Sequence, residues 1–391
     1  AVQHSVVEFG FYTPLLAIVM ILIRAFGAFP YIATKRMSEL IAGGDRPGAF
    51  GYHRALHTVM IKMVAGFVCL LLILLPLMRH AARFATLAPF VFLLAMFITG
   101  LLTAYYQAPL QAMQRFRAIG ILGLLNFVLK FSCTYAFFAF ISGGFIAPYT
   151  KAMLGQVLGS FVILGVVIWY LRRFSLSSGG SAGQRVEFKK EVLPVFILLL
   201  IHGLSNYMDE VAAKLVLPSF EAGLYSAIVT VSKSMAFMVV PLAYVLLPKL
   251  SSDISYGATR RIMLKGLVLI ALVGGAGTIG ILLFSDQILR ILTDAKYHSA
   301  GGYLKYFFVA SLPHSVFFLF VNMFIVRMNY RFLFSVAAVL VLHLGAFVFV
   351  TDSLRTLILV TGVSGLLYCG ITLLFWMRGY RQHASDDLPK G

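Results

Sequence analysis

The segment IHGLSNYMDEVAAKL, residues 201–215, places His202, Asn206, Asp209, Glu210 and Lys214 close together in a chain that is 60% hydrophobic. On a helix, His202, Asn206 and Asp209 stand at i, i+4 and i+7 and share one stripe, while Asp209 and Glu210 diverge by about 100°. Glu210 and Lys214, at i and i+4, have the spacing of a local ion pair toward the outer end of the segment. The stripe is therefore expected to face an internal cavity, with Glu210 and Lys214 neutralising each other away from it. An inward carboxylate has two uses. Asp209 either holds a buried Lys or Arg by its charge, or binds a proton or Na⁺. His202, like His314 and His343, reads first as a hydrogen-bonded packing residue and only second as a proton relay.

Further charges stand inside apolar runs: Arg24 in AIVMILIRAFGAFP, Lys130 in LLNFVLKFSC and Lys233 in IVTVSKSMAF. A charge at the centre of a bilayer costs about 2.5–3.5 kcal/mol on insertion scales. These three are therefore expected to face a wet cavity or a partner. Lys62 and Lys151 lie nearer segment ends, where snorkelling to the headgroups explains them as well. The sequence contains no HExxH, no GxSxG and no phosphate-binding loop, and no hydrophilic domain stands apart to house catalysis. Cys69, Cys133 and Cys369 all fall in apolar runs and read as small core residues rather than a metal set or a disulfide frame. The chain reads as no enzyme and calls for no cofactor and no metal. The GGAG of LVGGAGTIG lies in an apolar helix, where small residues allow close helix contact.

The elements that must position these residues follow from composition. Only 12% of the chain is charged and its mean hydropathy is +0.93, against roughly a quarter charged in soluble proteins. Lipid must solvate most of it. About eleven apolar segments satisfy the span criterion, near 10–33, 56–78, 84–106, 118–141, 148–171, 192–216, 220–247, 262–284, 303–327, 331–351 and 354–377. The polar stretch RRFSLSSGGSAGQRVEFKKE, 172–191, is the widest break and has a linker's composition. It divides the chain into an N-terminal bundle, 1–171, of about five helices and a C-terminal bundle, 192–391, of six. With the linker in the cytoplasm, 20 of the 32 Lys and Arg fall on the cytoplasmic side and 7 on the other. That bias supports the orientation, with the C-terminus cytoplasmic. It also explains the formal net charge of +18 without a nucleic-acid partner, since the bases lie in separated short loops. The expected fold is an all-α polytopic membrane protein of about eleven transmembrane helices, two pseudo-symmetric bundles around a central cavity, a common transporter plan. Pro30, Pro194, Pro241, Pro248 and Pro313 are expected to bend helices. The odd helix count and the abrupt start AVQHSVVEFG read as a twelve-helix plan lacking its first helix.

One stretch, SNYMDEVAAKLVLPSFEAGLYSAIVTVSKSMAFMVVPLAYVLLPKLSS, resembles the seventh and eighth helices of the polysaccharide (O-antigen type) flippases of the multidrug/oligosaccharidyl-lipid/polysaccharide exporter superfamily. The matching positions are Asn206 and Asp209, then Gly223, Tyr225 and Ala227, then Pro241, Leu247, Pro248, Leu250 and Ser251. EFGFYTPLLAI resembles the end of that family's first connection, a turn following helix one. The likeness covers about fifty residues; elsewhere it is one of hydropathy and helix count. It implies a flippase of the bacterial inner membrane. Such a protein moves an undecaprenyl-diphosphate-linked oligosaccharide to the outer leaflet by alternating access, alongside other polysaccharide-assembly membrane proteins and membrane lipids. A cavity with Arg24, Lys130 and Lys233 would attract that polyanion, and Ser205, Asn206 and Ser232 would hydrogen-bond it. Two alternatives stand beside this reading. A drug/cation antiporter of the same superfamily would want an acidic cavity, whereas these interior charges are mostly basic. A membrane-embedded oligosaccharide polymerase or ligase would want a larger outer loop than SDQILRILTDAKYHSAGG.

Overall fold

In a computed structural model, residues 2–82, 88–140, 148–175, 186–236, 256–292, 297, 300–326 and 330–386 are described, and nearly all of them are helical. The helices are α1 (Val2–Phe26), α2 (Ala28–Ala42), α3 (Arg46–Ala82), α4 (Ala88–Ala112), α5 (Phe116–Phe140) and α6 (Pro148–Ser175). A π-turn, Phe188–Val192, leads into α7 (Leu193–Val216), followed by α8 (Ser219–Ala236), α9 (Tyr256–Leu292), α10 (Gly301–Val326), α11 (Tyr330–Phe349) and α12 (Leu354–Asp386). Helices dominate because a backbone in hydrocarbon must satisfy its own hydrogen bonds. Among the described residues 10 spans are long and apolar enough to cross a bilayer, matching ten of the eleven expected segments. The eleventh, 220–247, is helical over Ser219–Ala236; its remainder lies outside the described residues. The chain is a multi-pass membrane protein.

Local sequence explains the breaks. Between α1 and α2, the Gly27 N–H donates to the carbonyls of both Ile23 (2.8 Å) and Arg24 (3.1 Å). A Cβ at Gly27 would stand 2.8 Å from the Arg24 oxygen, so only glycine fits this tightened turn. Pro30, three residues on, has no N–H to continue the ladder. Pro194 sits in the first turn of α7, just after the π-turn, and Pro313 lies inside α10; Pro241 and Pro248 lie outside the described residues. In α9 the helical dihedrals fail at Phe284. One expectation is corrected here. EFGFYT is not a turn following an earlier helix but part of α1, which begins at Val2. An apolar segment flanking a membrane span continues the helix unless a breaker stops it, and Gly10 alone does not.

The chain forms two compact units, Val19–Leu200 and Ala1–Ile18 with Ile201–Gly391. Within the first, α5 packs on α6, and α4 on both α6 and α2. Phe26 anchors a core of rings, 5.4 Å from Phe67, 5.1 Å from Phe97 and 5.3 Å from Phe196. Two tight turns are packed together through Met37, Ala49, Phe50 and Ala112. One contains Gly44 at φ +83° and ends on Asp45, whose side chain accepts the Gly48 N–H at 2.8 Å; the other contains Gln114 at φ +55°. Among the described spans α5 is the least buried. Phe127, Phe131, Tyr135 and Phe138 form its outward face. Cys69, expected in a core, is exposed, as suits an apolar side chain against hydrocarbon. In the second unit α10 packs on α8, α9 and α12, around Tyr225, Ile228, Leu304, Phe307 and Leu357. Of the GGAG stretch, Gly274 meets Leu312 of α10, while Gly275 faces open space.

Among the described glycines, the tightest approach of one helix backbone to another is at the GQVLG of α6. A Cβ at Gly155 would fall 2.3 Å from Thr134 Cα and one at Gly159 2.7 Å from Lys130 Cα. Backbone meets backbone there, the use of a G-x-x-x-G spacing in membranes. Gly159→Leu should therefore push α5 off α6 and lower stability by about 1–3 kcal/mol. Gly165→Leu, on the same helix where nothing lies within 4 Å, should leave stability unchanged. Thermal unfolding in detergent compares the two, and equal melting of both variants would contradict the close-packed seam.

Candidate functional site

The second unit buries an ion cluster between α7 and α8. These helices form a hairpin with only Leu217 and Pro218 between them; Leu217 N–H bonds the Ala213 carbonyl (3.0 Å) and Ala222 N–H the Pro218 carbonyl (2.9 Å). On α7, adjacent Asp209 and Glu210 are 2% and 5% exposed. On α8, the Lys233 ammonium lies 3.1 Å from Asp209 Oδ1 and 2.8 Å from Glu210 Oε1. It also donates to the Asn206 carbonyl. An ammonium has three N–H donors, and these three acceptors use them all. The Tyr207 ring adds a π-face 4.8 Å from Nζ. Tyr225, about two turns before Lys233 on α8, donates its hydroxyl to Asp209 Oδ2 at 2.8 Å. Tyr225 is itself fully buried, edge-on to Phe307 of α10 at 5.5 Å.

The His202–Asn206–Asp209 stripe extends this cluster along α7. The Asn206 amide lies 3.1 Å from His202 Nε2 and donates to the His202 carbonyl at 3.0 Å. The His202 ring stands 4.8 Å from Phe318 and 5.7 Å from Phe317. Ser205 donates to the His202 carbonyl at 2.9 Å, so its hydroxyl already has a protein partner. Four of the six residues singled out from sequence, His202, Asn206, Asp209 and Lys233, thus belong to one network. Of the two uses open to Asp209, holding a buried base is the one this geometry displays. The expected Glu210–Lys214 pair needs correction: Glu210 is buried and its carboxylate meets Lys233. Spacing along one helix could not reveal that a lysine 23 residues further on competes for the same carboxylate.

Arg24 and Lys130 belong to the other unit. Arg24 lies in the last turn of α1, at the Gly27 break. Lys130 is half-buried on α5, and no carboxylate pairs with it among the described residues. Asn126, one turn earlier on the same stripe, has a buried side-chain oxygen with no hydrogen-bond partner.

A second buried polar group joins His314 and His343 to Tyr368, a convergence that the sequence does not signal. His314 of α10, His343 of α11 and Tyr368 of α12 stand with ring centroids 6.0–6.4 Å apart. Both nitrogens of each histidine and the tyrosine oxygen are buried with no hydrogen-bond partner. The two histidines were expected to be hydrogen-bonded packing residues, and the structure corrects this. They pack, but through tilted and edge-on ring contacts rather than hydrogen bonds. Among the described residues no three His, Cys, Asp or Glu side chains converge as a metal site requires.

Lys233→Met would leave two carboxylates buried without their counter-charge, an arrangement costing about 3–5 kcal/mol when a buried pair is broken. It should sharply lower folded yield and melting temperature. Tyr225→Phe removes only one donor to Asp209 and should cost about 1–3 kcal/mol. Size-exclusion and melting profiles of both variants check the ranking, which fails if Lys233→Met is the milder change.

No family model matches the sequence, and no curated protein matches it. Solved structures do. The chain resembles an inward-facing multidrug resistance MATE family transporter of the MOP superfamily with a TM-score of 0.70 at 13% identity, covering 99% of this chain and 96% of that one. An outward-facing transporter of the same description gives a TM-score of 0.67 at 14% identity, covering 96% and 92%. A mutant of the Vibrio cholerae MATE transporter VcmN gives 0.67 at 15%, covering 98% and 91%. The chain has the fold of the MATE family transporters of the MOP superfamily.

Proposed function

We propose that this protein is a secondary transporter working by alternating access in the bacterial inner membrane, with no enzymatic step of its own. The observation that carries the reading is the fold, which it shares over nearly its whole length with transporters solved both inward-facing and outward-facing. The excess of Lys and Arg on one set of loops supports a cytoplasmic C-terminus.

Two substrate classes fit this reading. The first is an amphiphilic cation exchanged for a proton or Na⁺. It is supported by the multidrug transporters among the similar structures and by the ion cluster itself. The sequence argument against a cation was an interior with more bases than acids. Lys233, the most central of those bases, is outnumbered by Asp209 and Glu210, so that argument loses its strongest member. The second class is a polyprenyl-diphosphate-linked oligosaccharide. It is supported by the resemblance of residues 205–252 to the polysaccharide flippases and by Lys130, a base left without a carboxylate among the described residues. The cation reading stands first because both the multidrug transporters among the similar structures and the two-to-one acid excess of the Lys233 cluster support it.

Proteoliposomes with an imposed proton or Na⁺ gradient separate these classes. Gradient-driven movement of a lipophilic dye cation, several-fold above protein-free vesicles, is the expected result. Movement of a polyprenyl-diphosphate saccharide between leaflets without dye transport would select the flippase. Movement of neither would contradict the transporter reading.

A further inference from the structure

The first unit contains a cavity of 380 Å³ that the transport reading does not use. Its walls come from α3, α4 and α6, and Arg54, His57, Tyr106 and Arg172 supply its polar lining. Arg54 and His57 lie in the N-terminal part of α3, Tyr106 and Arg172 in the C-terminal parts of α4 and α6, so antiparallel helix ends bring the four to one side of the unit. Arg54 lies about two turns into α3, Tyr106 about two turns before the end of α4, and Arg172 in the last turn of α6. Arg172 is also the final residue of its apolar span. The cavity therefore lies toward the end of the unit that the Lys/Arg bias assigns to the cytoplasm.

The polar groups are held in place from behind. His53 stacks on Tyr105 with centroids 4.5 Å apart, and the Tyr105 hydroxyl donates to the His53 carbonyl at 2.5 Å. That buried pair fixes the turn of α3 from which Arg54 and His57 project. The Tyr106 hydroxyl lies 3.3 Å from His57 Nε2, and the Thr58 hydroxyl is tied to the Arg54 carbonyl at 3.2 Å. Among the described residues no carboxylate pairs with Arg54 or Arg172. Two exposed guanidiniums without acids, an imidazole and a phenol converge on one hollow. Phe50, Ile168 and Leu171 line its apolar side.

We propose that this cavity binds the phosphate of an anionic membrane lipid in the cytoplasmic leaflet. Guanidinium forks match phosphate oxygens bidentately, and basic pockets between membrane helices on the cytoplasmic side suit anionic headgroups. The apolar wall beside the charges fits a ligand whose phosphate is attached to acyl chains, and a free phosphate would gain nothing from it. The site shares no residue with the α7–α8 ion cluster.

Trp169, more than half exposed and one turn before Arg172 on α6, reports on this neighbourhood. The test uses the full chain carrying Trp376→Phe, in nanodiscs containing bromine-labelled phosphatidylglycerol or phosphatidylcholine, with quenching of Trp169 as the readout. The expected result is a preference for phosphatidylglycerol on the order of tenfold, abolished in Arg54→Gln/Arg172→Gln and partly kept in Arg54→Lys/Arg172→Lys. Arg172→Gln alone, an exposed change at a helix end, should reduce the preference and serves as the reading if the double variant does not fold. No preference in the parent protein, or one that survives both glutamine substitutions, overturns the proposal. So does loss of the preference in millimolar inorganic phosphate, since the site would then be one for the free anion.

Discussion

A lysine ammonium buried inside a membrane-spanning unit must be neutralised, and this requirement organises the second unit. Lys233 meets it with the two neighbouring carboxylates of α7 and a backbone carbonyl one turn before them. Its side chain is 15% exposed and those of Asp209 and Glu210 are 2% and 6%. Water screens these charges little, and each depends on the others. The hairpin of α7 and α8 is therefore fixed in register by charge as well as by packing. Tyr225 passes the constraint on. Its hydroxyl completes Asp209 while its ring packs against Phe307, so α10 is set relative to the charged pair. From α10 the core continues through Leu304 to α12 at Leu357.

The same cluster changes how the interior charge of the protein should be weighed. Taken one at a time, Arg24, Lys130 and Lys233 make a basic interior suited to a polyanion. In the structure Lys233 is the centre of a group with two carboxylates and one ammonium. A proton or Na⁺ arriving there would meet carboxylates already engaged with Lys233. Any coupling role for Asp209 or Glu210 must therefore work by exchange with Lys233 rather than by filling a vacant acidic site. This links the structural and the coupling uses of Asp209, which residue spacing alone leaves as alternatives.

Much of the fold was legible because lipid imposes it directly. Hydropathy located ten spans, and Pro30 and Pro313 marked points where helix ladders lose a donor. The α7 stripe was legible through its 3.6-residue period. What was not legible depends on tertiary proximity. Glu210 has Lys214 at the spacing of a helical pair, yet its observed partner lies on the next helix. EFGFYT resembled a turn by likeness to a family, while its own composition gave the helix no reason to stop. Arg54 and Arg172 were counted among cytoplasmic bases, a tally that explains their side of the membrane but not their convergence with His57. The GQVLG of α6 carried a readable small-residue spacing whose partner, the backbone of α5 at Thr134 and Lys130, only the structure supplies.

The central claim is that Lys233, Asp209 and Glu210 form one mutually dependent charge group. A thermodynamic cycle measures it directly, comparing unfolding of Lys233→Met, of Asp209→Asn/Glu210→Gln and of the three substitutions combined, in the same detergent. Mutual dependence predicts that the combined variant is more stable than the sum of the two separate losses by about 1.5–3 kcal/mol. Additivity within about 0.5 kcal/mol would mean that the three charges do not depend on one another and would contradict the account.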